Sequence, residues 1–162
     1  MPFVEVAETI AAPVQRVWEV VNDVEAYPRL MEHVHELRIV ERGDNYRLLE
    51  WVVELKGCVM RWIEREDLQP DRYRIEYRQI EGELAEFDGF WQLEPRGDSM
   101  TNVILTVHFE IGIPMLAEML NPVAERAIRD NSRNMLLSLA TEAAPGSAQT
   151  DSVKKESVQE TP

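Results

Sequence analysis

Two glutamates, Glu64 and Glu66, stand two and four residues after Trp62 in the segment Cys58 to Asp67, where apolar and charged residues alternate. A period of two puts both carboxyls on the face that carries Trp62. Carboxyls brought together in an apolar setting oppose each other's ionisation, which raises at least one pKa and supplies a general acid or base. The same run, Arg61 to Asp67, lies near Arg72 and Arg74 and reads more simply as a solvated strand face and rim. Catalysis is therefore left unassigned, with Glu64 and Glu66 as its candidates. Arg65 has the opposite parity and is expected to face outward unless a bulge shifts the register.

The other chemistry-bearing side chains are few. His33 and His35, two apart, can place both imidazoles on one side as two metal ligands would. A third ligand is lacking, because His108 has outward parity on another strand, so structural or solvent-facing roles are expected and no metal. Cys58, the single cysteine, excludes an internal disulfide and a Cys-rich zinc site, fits a reducing cytoplasm and reads as an inert inward thiol. No GxSxG, HExxH, Walker A or GxGxxG pattern is present, which removes support for hydrolase, zinc peptidase and nucleotide-binding classes, and no cofactor is expected.

Large side chains form a more extensive set. Trp51, Met60, Trp62, Tyr77, Phe87, Trp91 and Phe109 share the inward parity of successive strands. Each alone reads as core packing. Together they describe an aromatic wall suited to a planar polycyclic, quinone or lipid-like molecule. Asn131 lies four residues after Ala127 and four before Met135 on an apolar helical face, where a buried amide needs a partner in the ligand or in the protein.

The elements that must position these residues follow from periodicity. Val4, Val6 and Ile10 define a first strand, Phe3 to Ile10; Pro13 opens a short amphipathic helix to about Asn22; a second short helix covers Val24 to Met31. From His35 to Ile111, period-two segments separated by Gly43-Asp44-Asn45, Lys56-Gly57, Pro70-Asp71 and Pro95-Arg96-Gly97-Asp98 give six strands in meander order. After Ile113-Pro114 the spacing predicts a short helix, then a long one from Pro122 to about Glu142, with Asn121 as its cap and Val123, Ala127, Ile128, Met135, Leu136 and Leu139 as its stripe. Residues 143 to 162 hold too little apolar surface to offset ordering entropy and read as a disordered tail.

Across 162 residues, 17 Lys+Arg stand against 30 Asp+Glu, a formal charge of −13 that repels phosphate backbones and anionic headgroups. Nucleic-acid binding is disfavoured. The N-terminus lacks a basic and apolar leader, and no run of apolar residues is long enough to cross a bilayer, so neither a signal peptide nor an integral membrane segment is expected.

The order strand, two short helices, six strands, long helix, together with Ile10-Ala11-Ala12-Pro13, Val17-Trp18-Glu19-Val20-Val21-Asn22-Asp23 and Glu25-Ala26-Tyr27-Pro28, resembles the START-like helix-grip (SRPBCC) superfamily. The similarity is greatest to its polyketide cyclase/aromatase and coenzyme-Q-binding branches. Gly89-Phe90-Trp91-Gln92-Leu93-Glu94-Pro95, Thr101-Asn102-Val103 and Phe109-Glu110-Ile111 resemble its late hairpin, and Ile128 to Leu139 its gripping helix; residues 3 to 142 are covered. The resemblance implies an α+β fold, a curved seven-stranded antiparallel sheet wrapped around the C-terminal helix, with a cavity between them for an apolar ligand. It further implies an aromatic residue at the cavity entrance, where Tyr27 stands, either to orient a ligand oxygen or only to wedge the helix against the sheet. The aromatase branch carries a cavity-facing arginine four residues after the equivalent of Trp62, where this chain has Glu66.

Three functions fit this reading: a carrier of a polyketide, quinone or lipid-like molecule; a cyclase or aromatase performing aldol cyclisation and dehydration; and a ribosome- or protein-interacting member with a vestigial cavity. The first is preferred, with Tyr27 and Asn131 joining the seven large residues as its ligand contacts. An acidic exterior argues against docking to RNA.

Overall fold

The computed structural model describes residues 2–144. Strand β1, Phe3–Ile10, buries Val4, Val6 and Ile10, the alternation that marked it as a strand. Helix α1, Val14–Asn22, follows with Pro13 as its N-cap and turns Val17, Val20 and Val21 inward. The second helical segment is broken: a 3-10 turn, Val24–Ala26, runs into the single-turn α2, Tyr27–Leu30, and Met31 already has extended dihedrals. Pro28 lies in the first turn of α2, where its missing N–H costs nothing, and keeps α2 from joining the 3-10 turn before it into one α-helix.

Six strands follow in meander order: β2 Val34–Arg42, β3 Tyr46–Leu55, β4 Cys58–Gln69, β5 Arg74–Gly82, β6 Glu86–Arg96 and β7 Met100–Glu110. All pair antiparallel, and β1 returns to pair with β7, giving the order β1-β7-β6-β5-β4-β3-β2. The break between β5 and β6, at residues 83–85, carries no Pro or Asn signal and had none of the expected turns assigned to it. Bulges in β2 at His35 and Val40, and one opposite Ile63 and Glu64 of β4, sharpen the right-handed twist and bend the sheet into a trough. The third bulge places its extra residue, Ile80, on β5, so β4 keeps its parity. Arg65 accordingly faces outward, over the Tyr46 ring and paired with Asp67.

Helix α3, Pro114–Ala143, lies across the concave face and buries Ala127, Ile128, Ser132, Met135, Leu136, Leu139 and Ala143. Two expectations fail here. The short helix and the long helix from Pro122 are one continuous helix, with Pro122 in its interior. Pro122 and Glu118 are both exposed, so the carbonyl deprived of its N–H partner is left to water instead of being stranded in the core. Val123, placed on the buried stripe, is 63% exposed, and the first turns of α3 also show Met115 and Met119 to solvent. The helix grips the sheet only from Ala127 onward. Ala143 ends it, and the rest of the expected tail, from residue 145, lies outside the described residues. Among the described residues no helix is long and apolar enough to cross a membrane.

Candidate functional site

Between the trough and α3 is a cavity of about 410 Å³. Its walls come from the alternate residues of β3 to β7 that the sheet curvature turns inward, closed by Ala127, Ile128 and Met135 of α3. Trp51, Met60, Trp62, Tyr77, Phe87, Trp91, Phe109 and Asn131 all line it. Trp51 and Trp62, cross-strand partners on β3 and β4, stack with centroids 5.6 Å apart and planes 10° from parallel. Phe87 continues the aromatic wall, tilted against Trp62 at 5.4 Å and Tyr77 at 6.1 Å. Leu120 and Val123 of α3 bound the mouth, facing Lys56, Cys58 and Arg61 around the β3–β4 turn. Cys58 is exposed at this rim, because it is the first residue of β4, next to the two-residue Lys56–Gly57 turn at the open end of the cavity.

Tyr27 does not belong to this wall. It is 1% exposed, packs edge-on against Trp51, and its hydroxyl donates a 2.5 Å hydrogen bond to the Val21 carbonyl. It wedges the helical segment onto the sheet, and the entrance lies elsewhere. Asn131, by contrast, is half-buried with its side chain on the cavity, and among the described residues it makes no side-chain hydrogen bond within the protein.

The polar end of the cavity is where the structure departs most from the sequence reading. Glu64 and Glu66 are no solvated rim: they are 3% and 2% exposed. Glu64 lines the cavity and accepts a 3.0 Å hydrogen bond from Trp62 Nε1. Burial, then the adjacent Glu66 and the hydrogen bond between the two carboxyls, hold Glu64 well above the usual carboxylate range. Burial and the neighbouring carboxyl thus favour the protonated form of Glu64. Trp51 Nε1 is buried without a hydrogen-bond partner of ordinary geometry, yet lies close enough to Glu64 to favour its charged form.

Behind Glu64, away from the cavity, Glu66 accepts a 2.7 Å hydrogen bond from Arg47 Nε. Arg47 is itself 5% exposed and reaches the Asn22 carbonyl at the end of α1 through Nη1 at 3.3 Å. Sequence reasoning missed Arg47 although its signal was present: it shares the parity of Leu49, Trp51 and Val53. It also missed Ser132, buried on the cavity beside Asn131, because a hydroxyl residue interrupts the apolar stripe without breaking it.

Tyr77 completes the polar end but is occupied. Its hydroxyl donates to the Thr106 carbonyl at 2.6 Å, made possible by Gly89, where a Cβ would meet that carbonyl oxygen at 2.0 Å. Burial, and after it Glu64, raise its pKa well above the ordinary tyrosine value.

The histidines stay apart from the cavity. His35 pairs with Glu54 at 3.3 Å, and His33 is half-buried with Nε2 unpartnered and a pKa lowered by burial and by His35. His108 faces outward as expected and lies 3.6 Å from Asp88. With Glu86 they form an outer-face group whose ligand-type atoms lie within 4.8 Å of one another.

Residues 10–136 match the family described as polyketide cyclase / dehydrase and lipid transport. Over 116 residues, 68% of this chain, the sequence is 32% identical to the actinorhodin polyketide synthase bifunctional cyclase/dehydratase of Streptomyces coelicolor, of whose length it spans 36%. It is 24% identical, over 71% of this chain and 79% of that protein, to the ribosome association toxin RatA of Pseudomonas aeruginosa. The crystal structure of the Zhui aromatase/cyclase of a Streptomyces species superposes with a TM-score of 0.81, 28% identity, and coverage of 87% of this chain and 92% of that one. With the seven-stranded sheet, the gripping helix and the cavity between them, these matches make the chain a member of the polyketide cyclase / dehydrase and lipid transport family, with the START-like helix-grip fold.

Proposed function

We propose that this protein binds an apolar, ring-bearing small molecule of polyketide, quinone or lipid-like class in the cavity between sheet and α3, in the manner of a polyketide cyclase-like or carrier protein. The observation that carries the reading is the cavity itself: about 410 Å³ of space walled by stacked and tilted aromatic rings, with few polar groups among them. A packed core leaves no such space, because interiors close to crystal-like density. The likeness to aromatase/cyclases supports the polyketide option within that class. The ligand contacts in this reading are Trp51, Met60, Trp62, Tyr77, Phe87, Trp91, Phe109 and Asn131.

Native mass spectrometry of gently purified protein, followed by denaturing extraction, tests it. A co-purifying polycyclic ketide, quinone or isoprenoid is the expected result. A clean unliganded mass, with no shift on adding flat aromatic ketones, would overturn the reading and favour a protein-docking role like that named for RatA.

A further inference from the structure

We propose that the outer face of the sheet, turned away from the cavity, holds a divalent transition-metal site whose protein donors are His108 Nδ1 of β7 and the carboxylates of Glu86 and Asp88 of β6. The inference is independent of the cavity and of what it binds. One donor atom from each of the three side chains lies within 4.8 Å of the others. Zinc takes imidazole nitrogen and carboxylate oxygen at about 2.0–2.2 Å, so two donors on one ion stand roughly 3–3.5 Å apart. The terminal torsions of the two carboxyls are broad, and both side chains reach solvent, so their rotation closes the difference without moving the strands.

The strands hold the donors in place. Asp88 and His108 are direct partners in the β6–β7 register, and Glu86, two residues earlier on β6, shares their face. Just before Glu86, the Ala85 N–H donates to the Glu110 carbonyl at 2.8 Å, which pins the start of β6 to the end of β7. All three donors therefore stand on paired strands, where geometry is kept better than on loops. Phe3, the partner of His108 on β1, sets its ring against the imidazole from the side opposite Asp88, with centroids 6.5 Å apart. Nδ1 faces Asp88 at 3.6 Å, beyond hydrogen-bonding distance, so no hydrogen bond among the described residues occupies that nitrogen.

Charge on this face points the same way. Further along the sheet the outward carboxylates have arginines beside them: Arg38 with Glu50, Arg65 with Asp67 and Arg74 with Glu76. Glu86, Asp88 and Glu110, the last directly opposite Glu86, have no Lys or Arg partner among the described residues; Arg78, next to Asp88 in the register of β5, is exposed and makes no ion pair with it. Like charges directly opposite on a sheet repel, and the one group this patch sets among them is an imidazole. A dication removes the repulsion. Imidazole beside two carboxylates suits zinc, cobalt or nickel, whereas calcium and magnesium take oxygen donors. Water completes the coordination on the open side. The bound ion ties β6 to β7, and because the donors meet only in the folded sheet, it stabilises the native chain.

The test titrates the full chain, stripped of metal with a chelator, with zinc chloride in a calorimeter. Wild type is expected to bind one equivalent at this site and to melt about 5 °C higher when free zinc is at about 100 times Kd. His108→Ala should lose that equivalent, and Asp88→Asn should weaken it about tenfold, while both melt in chelator within about 2 °C of wild type. The double variant His33→Ala with His35→Ala should keep it. Nitrogen NMR of the imidazoles should show zinc shifting Nδ1 of His108; this and Asp88→Asn carry the comparison if His108→Ala fails to fold. No zinc uptake by wild type, uptake unchanged in His108→Ala and Asp88→Asn, or calcium bound as tightly as zinc would each overturn the assignment.

Discussion

Arg47 and Glu66 face each other directly across β3 and β4, joined by a 2.7 Å hydrogen bond with both side chains almost wholly out of water. Such a pair adds little net stability over apolar residues of similar volume, because desolvation cancels much of its attraction, but losing one member strands the other charge. Arg47→Met should therefore cost about 3–5 kcal/mol in urea unfolding, and the double variant Arg47→Met with Glu66→Leu should recover most of that loss. Equal stability of the single and double variants would show that the charge was never stranded.

The pH dependence of stability has a worked sign. Glu64 holds its proton to higher pH in the folded chain than the ordinary glutamate value of 4.5. Its contribution is complete below that value and is lost as pH rises through the folded pKa. Tyr27 and Tyr77 add the same sign above the ordinary tyrosine value of 10.0. His33 works in the other direction: its lowered pKa gives stability that is present above 6.5 and lost as pH falls. Between wild type and Glu64→Gln the His33 contribution cancels, and the tyrosine contributions, which depend in part on Glu64, enter only above the ordinary tyrosine value of 10.0. The stability of wild type relative to that variant should fall as pH rises above 4.5, checked by urea titrations at several pH values; a flat difference would mean that Glu64 ionises normally.

Most of the aromatic wall was legible because a strand period of two is rigid: once Leu49, Trp51 and Val53 face inward, Met60, Trp62 and the alternate residues of β5 to β7 follow through the pairing register. The same rule applied to Arg47, Glu64 and Glu66, yet their charge argued for solvent when each was read alone. Burial of a charge depends on a partner from another strand, and Arg47 is 19 residues from Glu66 in sequence. Tyr27 had two readings, a ligand contact at the family's entrance and a wedge between helix and sheet, and its local hydroxyl bond to Val21 matches the second. The continuous α3 was illegible because an interior proline is tolerated more readily where the carbonyl it orphans can reach water, as at the exposed Glu118, and the sequence does not state that exposure.

Gly89 offers a sharper packing test. A methyl there would collide with the Thr106 carbonyl oxygen at 2.0 Å and with the Tyr77 hydroxyl at 2.8 Å. Gly89→Ala should lower stability by about 1–3 kcal/mol. Tyr77→Phe removes the donor from the same buried carbonyl and should cost about 1–3 kcal/mol. The two losses share one partner, so the double variant should lose less than their sum in thermal unfolding; strict additivity would place the strain elsewhere.

Occupancy of the cavity separates from stability at two positions on α3. Asn131 bears on the cavity without a side-chain hydrogen bond to the described protein, so Asn131→Leu should leave stability within about 1 kcal/mol while changing affinity for an oxygen-bearing aromatic ligand. Ala124→Trp, at a lining position near the mouth, should fill the space and abolish binding. Calorimetric titration with a flat aromatic ketone, beside a melting curve, checks both; unchanged affinity in the pair would count against the cavity as a binding site.

The near-parallel stack of Trp51 on Trp62 makes the cavity optically self-reporting. Indoles 5.6 Å apart share their ultraviolet excitation, so the pair absorbs as a coupled unit rather than as separate chromophores. A molecule entering the cavity touches both rings of that unit and disturbs the coupling, altering near-ultraviolet dichroism without any added label. The wall that would hold a ligand is thus also an intrinsic signal of whether it is occupied.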